Sequence, residues 1–222
     1  MSTETIPRTP QRVDWRRAEF VLTLFGFLGF LTLPIRITTI YSGLPAHPLF
    51  IHVPVILVPL SVLGALACVA RPSWFAKYGI LLCATAIVAM SSIFLAMQAG
   101  SALEGALNLQ GPAASLIHRH SHAAHILAIV FVVFTAVLIL TFAAHRISGG
   151  RPTGQRLVDG VLSVRSNYLV LRVALVLLAL GSAYMCFKVG DLGAKAVWQG
   201  RLQQAAHSGV GGLFTPGGPP GG

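Results

Sequence analysis

The sequence predicts an all-α integral membrane fold: a four-helix bundle with an additional N-terminal transmembrane helix. Three observations point there. Of 222 residues, 55% are hydrophobic and only 10% are charged, whereas a soluble domain carries about 25% charged residues. Four strong apolar runs recur, each near 20 residues, which at about 1.5 Å rise crosses a hydrocarbon core of about 30 Å. The basic residues fall mostly between the runs, where they orient membrane helices. Backbone exposed to lipid must satisfy its own hydrogen bonds, so helices or closed barrels are the choices. No alternating ten-residue pattern supports a barrel.

Taken in order, residues 1–17 form a polar N-terminal segment with Arg8, Arg12, Arg16 and Arg17, and Pro7 and Pro10 oppose an early helix. Residues 18–42 are a weaker apolar stretch, interrupted by Pro34 and Arg36. No small-x-small cleavage site follows it, so an N-terminal transmembrane helix or signal anchor is expected. Residues 43–201 make the four-helix membrane domain, with segment A at about 47–70, B at 75–97, C at 122–144 and D at 168–187. Pro48 suits a helix start, and Pro54 and Pro59 should kink segment A. Residues 202–222 read as a disordered Gly/Pro-rich tail. No internal repeat is visible in the sequence.

Charge sets the orientation. Arg8, Arg12, Arg16, Arg17, Arg71, Lys77, Arg146, Arg151, Arg156, Arg165 and Arg172 fall on one side, against Arg36, Arg119, Lys188, Lys195 and Arg201 on the other. The richer side should be cytoplasmic. The expectation is a multi-pass protein of a bacterial cytoplasmic (inner) membrane, N-terminus cytoplasmic and tail outside. The net charge of +10 then needs no nucleic acid, and no interleaving of aromatic and basic residues supports one. Cys68, Cys83 and Cys186 sit inside apolar runs and read as small buried hydrophobes.

This topology gathers polar chemistry at one end. His47, His52, Gln98, Glu104, His118, His120, His122, His125, Asp191 and Lys195 all fall near the outer interface, with only His145 at the inner end of a helix. At about 100° per residue, His118, His122 and His125 share a helix stripe and His120 points elsewhere. His47 and His52 are about 140° apart around a helix, so both cannot face one ligand at one depth. Asp191 and Lys195 are spaced for a helical ion pair, and Trp74 and Trp198 for interfacial anchoring.

Imidazole ligates haem iron and Zn, Cu or Fe ions. A bis-His haem in a four-helix bundle takes one histidine from each of two facing helices. His47 or His52 on A with His120 or His125 on C would supply that pair. A metal site for Cu or Zn could instead use His118, His122 and His125 with Glu104. Ionisable groups at membrane segments are functional candidates, while solvated histidines at a helix end are the plainer alternative.

The stretch Gly43-Leu44-Pro45-Ala46-His47-Pro48-Leu49-Phe50-Ile51-His52 resembles the bacterial domain-of-unknown-function 2231 family of four-helix membrane proteins. Ala99-Gly100 with Leu103-Glu104, His120, and Gly193-Ala194-Lys195-Ala196-Val197-Trp198 resemble its further motifs. The likeness spans roughly residues 43–201 and implies a compact four-helix membrane domain. Its matched positions are His47, His52, Glu104, His120 and Lys195. The chain departs from the pattern at Gln98, where many members have Asp, and at Asp191, where many have His.

The leading functional expectation is one b-type haem near the outer face, serving electron transfer, with the protein a possible subunit of a larger membrane complex. The alternatives are a cofactor-free accessory subunit and a His-based metal binder facing the periplasm. Expected partners are the lipid bilayer and other membrane subunits or redox proteins. The chain has no Gly-x-Ser-x-Gly, His-Glu-x-x-His or phosphate-binding loop, which argues against an independent hydrolytic enzyme.

Overall fold

The computed structural model describes residues 40–41, 44–107, 112–149, 160–162 and 164–207. The expected N-terminal segment, most of the 18–42 helix and the end of the tail lie outside the described residues. Two residues, Ile40–Tyr41 (β1), pair antiparallel with Leu44–Pro45 (β2) in a small hairpin. It leads straight into α1, Ala46–Phe50, and then α2, His52–Ala70. Three longer helices follow: α3, Ser73–Leu107, α4, Pro112–Ser148, and α5, Arg165–His207. Four of the helical stretches are long and apolar enough to cross a membrane, beginning with Ala46–Ala70. The all-α membrane bundle is the fold that the sequence predicts.

Segment A breaks where Pro54 dictates. Proline has no N–H and its ring crowds the carbonyl four residues back, which here is Phe50, the last residue of α1. Ile51 bridges the break, with Ile51 N–H on His47 O at 3.1 Å and Val55 N–H on Ile51 O at 3.2 Å. Pro59, by contrast, remains inside α2.

The other three segments run longer than their apolar windows. Helices α3, α4 and α5 have 35, 37 and 43 residues, roughly 50–65 Å of rise against a core of about 30 Å. Hydropathy falls after Met97, yet Ser101 to Leu107 contain nothing that stops a helix. Pro112 starts α4 ten residues before segment C was expected to begin, as proline does in a first turn. The last described turn of α5 enters the expected tail because Gln203, Gln204, Ala205 and Ala206 are good helix formers.

The helices form a ring. Helix α2 packs on α3 and α5, and α4 packs on the same two, while the diagonal pairs hardly touch. One end of the ring collects the C-terminus of α2 and the arginine-bearing ends of its neighbours; the other end collects His47 and His120. These are the arginine end and the histidine end below. Phe75, Phe131, Phe134, Leu138 and Leu175 fill the interior, and the Phe131 and Phe134 rings lie 5.1 Å apart. Buried hydroxyls on Ser61, Ser91, Thr135 and Thr141 donate to carbonyls of their own helices four residues back. Leu63, Leu81, Ile129, Leu177 and Phe187 point outward and stay exposed, as a surface solvated by lipid would.

Glycine lets the neighbouring helices close up. A Cβ on Gly79 would lie 2.4 Å from the buried Phe142 ring, and one on Gly64 would lie 2.7 Å from Leu82 Cδ1. On Gly181 it would make only an ordinary 3.7 Å contact with Val130. Gly79→Ala should therefore destabilise the detergent-solubilised protein by about 1–3 kcal/mol through overpacking. Gly181→Ala should be neutral or stabilising, since alanine is the better helix former by about 1 kcal/mol. Thermal unfolding of the two variants side by side checks this, and equal melting temperatures would contradict it.

Candidate functional site: a histidine pair across the bundle axis

At the histidine end, the break before α2 leaves α1 as a short separate turn, and His47 on it is half-buried against α3. His47 Nδ1 lies 2.9 Å from the carbonyl oxygen of Ala96. His120 on α4 makes the equivalent contact to α5, with Nδ1 3.0 Å from the carbonyl oxygen of Val189. A carbonyl only accepts, so Nδ1 must be the donor in both rings. In a neutral imidazole bonded this way, Nε2 keeps its lone pair, the form that ligates metals.

Each accepting carbonyl sits four residues before a glycine: Ala96 before Gly100, and Val189 before Gly193. In a helix, the side chain at i+4 leans back over the carbonyl of residue i. Glycine uncovers it. A Cβ on Gly100 would stand 3.1 Å from His47 Nδ1 and Cε1, and one on Gly193 would stand 3.1 Å from His120 Cε1. Both imidazoles thus lie on bare helix backbone. The α1–α3 and α4–α5 pairs repeat the same arrangement.

The two stations meet. The ring centroids of His47 and His120 are 6.2 Å apart, with planes at 84°. Segment A and α4 occupy diagonal corners of the ring, so this contact crosses the axis of the bundle. From Ser73 to Ala96 and from Arg165 to Val189 the chain climbs roughly 35 Å, which puts the pair near the far edge of a bilayer core.

Of the other residues expected here, His52 begins α2 with its side chain exposed, on a different face from His47, as the angular spacing requires. His118 and His122 are exposed, and exposed His125 turns its Nδ1 to Ser121 O of its own helix at 2.9 Å. Glu104 is half-buried on α3. Among the described residues, no group of three or more His, Cys, Asp or Glu side chains gathers closely enough to hold a metal ion. That includes the set His118, His122, His125 and Glu104. Lys195 and Asp191 form the ion pair that their spacing suggests, at 2.7 Å. Trp198 and Trp74 are exposed at opposite ends.

Sequence reasoning placed His47 and His120 at one end but missed their backbone acceptors and the role of the two glycines. The available signal was the pair of glycines at the close of segments B and D. It also used Arg172 only as an orienting charge, whereas Arg172 reaches from α5 to Val69 O on α2 at 2.7 Å.

The tautomers are directly measurable. In protein labelled with 15N at histidine, the rings of His47 and His120 should carry the proton on Nδ1. Gly193→Val should abolish that signal for His120 and leave His47 unchanged, and Gly100→Val the reverse. Either ring carrying its proton on Nε2 alone in the unmodified protein would contradict the assignment.

No curated protein and no solved structure matches the chain. The family profile described as "Predicted membrane protein (DUF2231)" matches residues 43–206. That match begins at the hairpin before His47, runs through all four long helices and covers both histidine stations, so the chain belongs to the DUF2231 family of membrane proteins.

Proposed function

We propose that the histidine end holds one b-type haem between His47 and His120, and that the protein carries electrons as part of a membrane complex. The observation that carries this reading is the pair itself: two imidazoles from diagonal helices, 6.2 Å apart across the bundle axis. His47 and His120 would hold the iron, one ring nitrogen from each. The donor set fits the group. Each ring spends Nδ1–H on a backbone carbonyl, which leaves Nε2 as the ligating atom. Such a bond fixes the ring and raises its basicity. Gly100 and Gly193 supply the space behind each ring that any larger residue would fill.

Bound haem supplies an iron centre that takes up and releases one electron. The chain's part is to hold two imidazoles rigidly, through helices that pack on each other but not across the diagonal. Under the orientation set by the basic residues, the site faces outward from a bacterial cytoplasmic membrane, where it would meet a redox partner. The protein would be a carrier, with no substrate transformed.

A second reading is favoured by the same hydrogen bonds. Each joins two neighbouring elements, so the histidines could serve only as latches, each contributing about 1 kcal/mol. The readings separate in one experiment. An oxidised-minus-reduced visible spectrum of the protein solubilised from its native membrane should show a stoichiometric b-type signal. His47→Ala and His120→Ala should lose it, while His52→Ala and His125→Ala, which remove exposed side chains, should keep it. A flat spectrum from folded protein would overturn the haem reading in favour of latches.

A further inference from the structure

At the arginine end a groove runs along the first turns of α5 and meets the last turn of α2 at Val69. One part, of about 590 Å³, is lined by Arg165, Ser166, Tyr168, Leu169 and Arg172. The adjoining part, of about 280 Å³, is lined by Val69, Leu169, Arg172, Val173, Val176 and Leu177. Leu169 and Arg172 belong to both, so a cationic half opens into an apolar half.

Arg172 is anchored but not saturated. Its Nη2 donates to Val69 O at 2.7 Å, and its guanidinium lies 5.7 Å from the centre of the Tyr168 ring. Its Nε is buried with no hydrogen-bond partner among the described residues. A buried donor left unsatisfied is costly, more so on a charged group. The only carboxylates among the described residues, Glu104 and Asp191, are at the histidine end. Nothing acidic in the described structure therefore neutralises Arg165 and Arg172. Starting between the two arginines, Leu169, Val173 and Leu177 recur at i, i+4 and i+8 on one face of α5, and they are 60%, 53% and 65% exposed.

We propose that this groove binds an anionic phospholipid. Its phosphate sits on Arg172 and Arg165, and one acyl chain lies along Leu169, Val173 and Leu177. Charge complementarity chooses the head group, because guanidinium is the side chain suited to bidentate phosphate contacts. The apolar row chooses an amphiphile over a free anion, since it runs from the arginines toward the depth of the bilayer. A zwitterionic lipid brings the same chain, but its own ammonium cancels the head-group charge. The inference is independent of any cofactor at the other end.

Native mass spectrometry of the full chain, released from mixed micelles with equal phosphatidylglycerol and phosphatidylcholine, tests it. The phosphatidylglycerol adduct should dominate. Arg172→Gln and Arg165→Gln should each lower that preference by about fivefold. Arg165 is exposed and leaves the Val69 bond intact, so its variant guards against loss of fold. Added inorganic phosphate should not displace the lipid. Equal retention of the two lipids, an unchanged preference in both variants, or displacement by phosphate would each overturn the proposal.

Discussion

The structure at the histidine end depends on access to two helix carbonyls. Inside an α-helix, every carbonyl is already engaged by the N–H four residues on, and the side chain at that position covers it. A ring from another helix can reach such an oxygen only where the covering side chain is missing. Gly100 and Gly193 remove it at the two places where His47 and His120 approach. The carbonyl then accepts twice, once along the helix and once from the imidazole. Lipid heightens the value of this arrangement, because a polar ring near the hydrocarbon must be satisfied by protein rather than by water. Glycine in mid-helix costs about 1 kcal/mol in propensity, and here that cost is offset by an inter-helix hydrogen bond and close packing.

Ring packing explains why the two rings can meet. Each of the four corners packs on its two neighbours, and the diagonal pairs hardly touch directly. In the middle of the bundle, Phe131, Phe134 and Leu138 fill that axis. At the histidine end the nearby α3 residues are small, Ala96, Ala99 and Gly100, and the axis is occupied by two imidazoles instead. The three long helices continue past this level, while segment A is only beginning.

Much of this was legible in the sequence, and the remainder was hidden for physical reasons. Hydropathy located four spans because burial in lipid demands uninterrupted apolar runs, and alternation of spans placed His47, His120 and Asp191 at one end. The 140° offset between His47 and His52 implied that only one could turn inward. Which one does is set by how segment A is rotated against α3, and that follows from packing rather than from the spacing itself. Helix ends were misjudged because hydropathy reports the membrane, not the helix: residues 98–107 and 112–121 leave the apolar window without leaving the α-helix. The likeness of the two stations was invisible because it consists of one carbonyl, one glycine and one ring in each. Ala-Met-Gln-Ala-Gly and Val-Gly-Asp-Leu-Gly share only their last residue and a spacing.

That spacing also decides what the chain's two departures from its family pattern mean. Gln98 and Asp191 occupy the same place in their stations, two residues after the accepting carbonyl's residue and two before the glycine. Two residues correspond to about 200° around a helix. Their side chains therefore leave from the side away from the bared backbone on which the imidazoles rest. Asp191 bears this out, since it turns along α5 to Lys195 at 2.7 Å and is 39% exposed. At Asp191, a change of residue type therefore acts first on the ion pair with Lys195 and not on the carbonyl under His120. The elements that cannot vary without moving the rings are the two glycines, because a single Cβ there already falls within 3.1 Å of an imidazole.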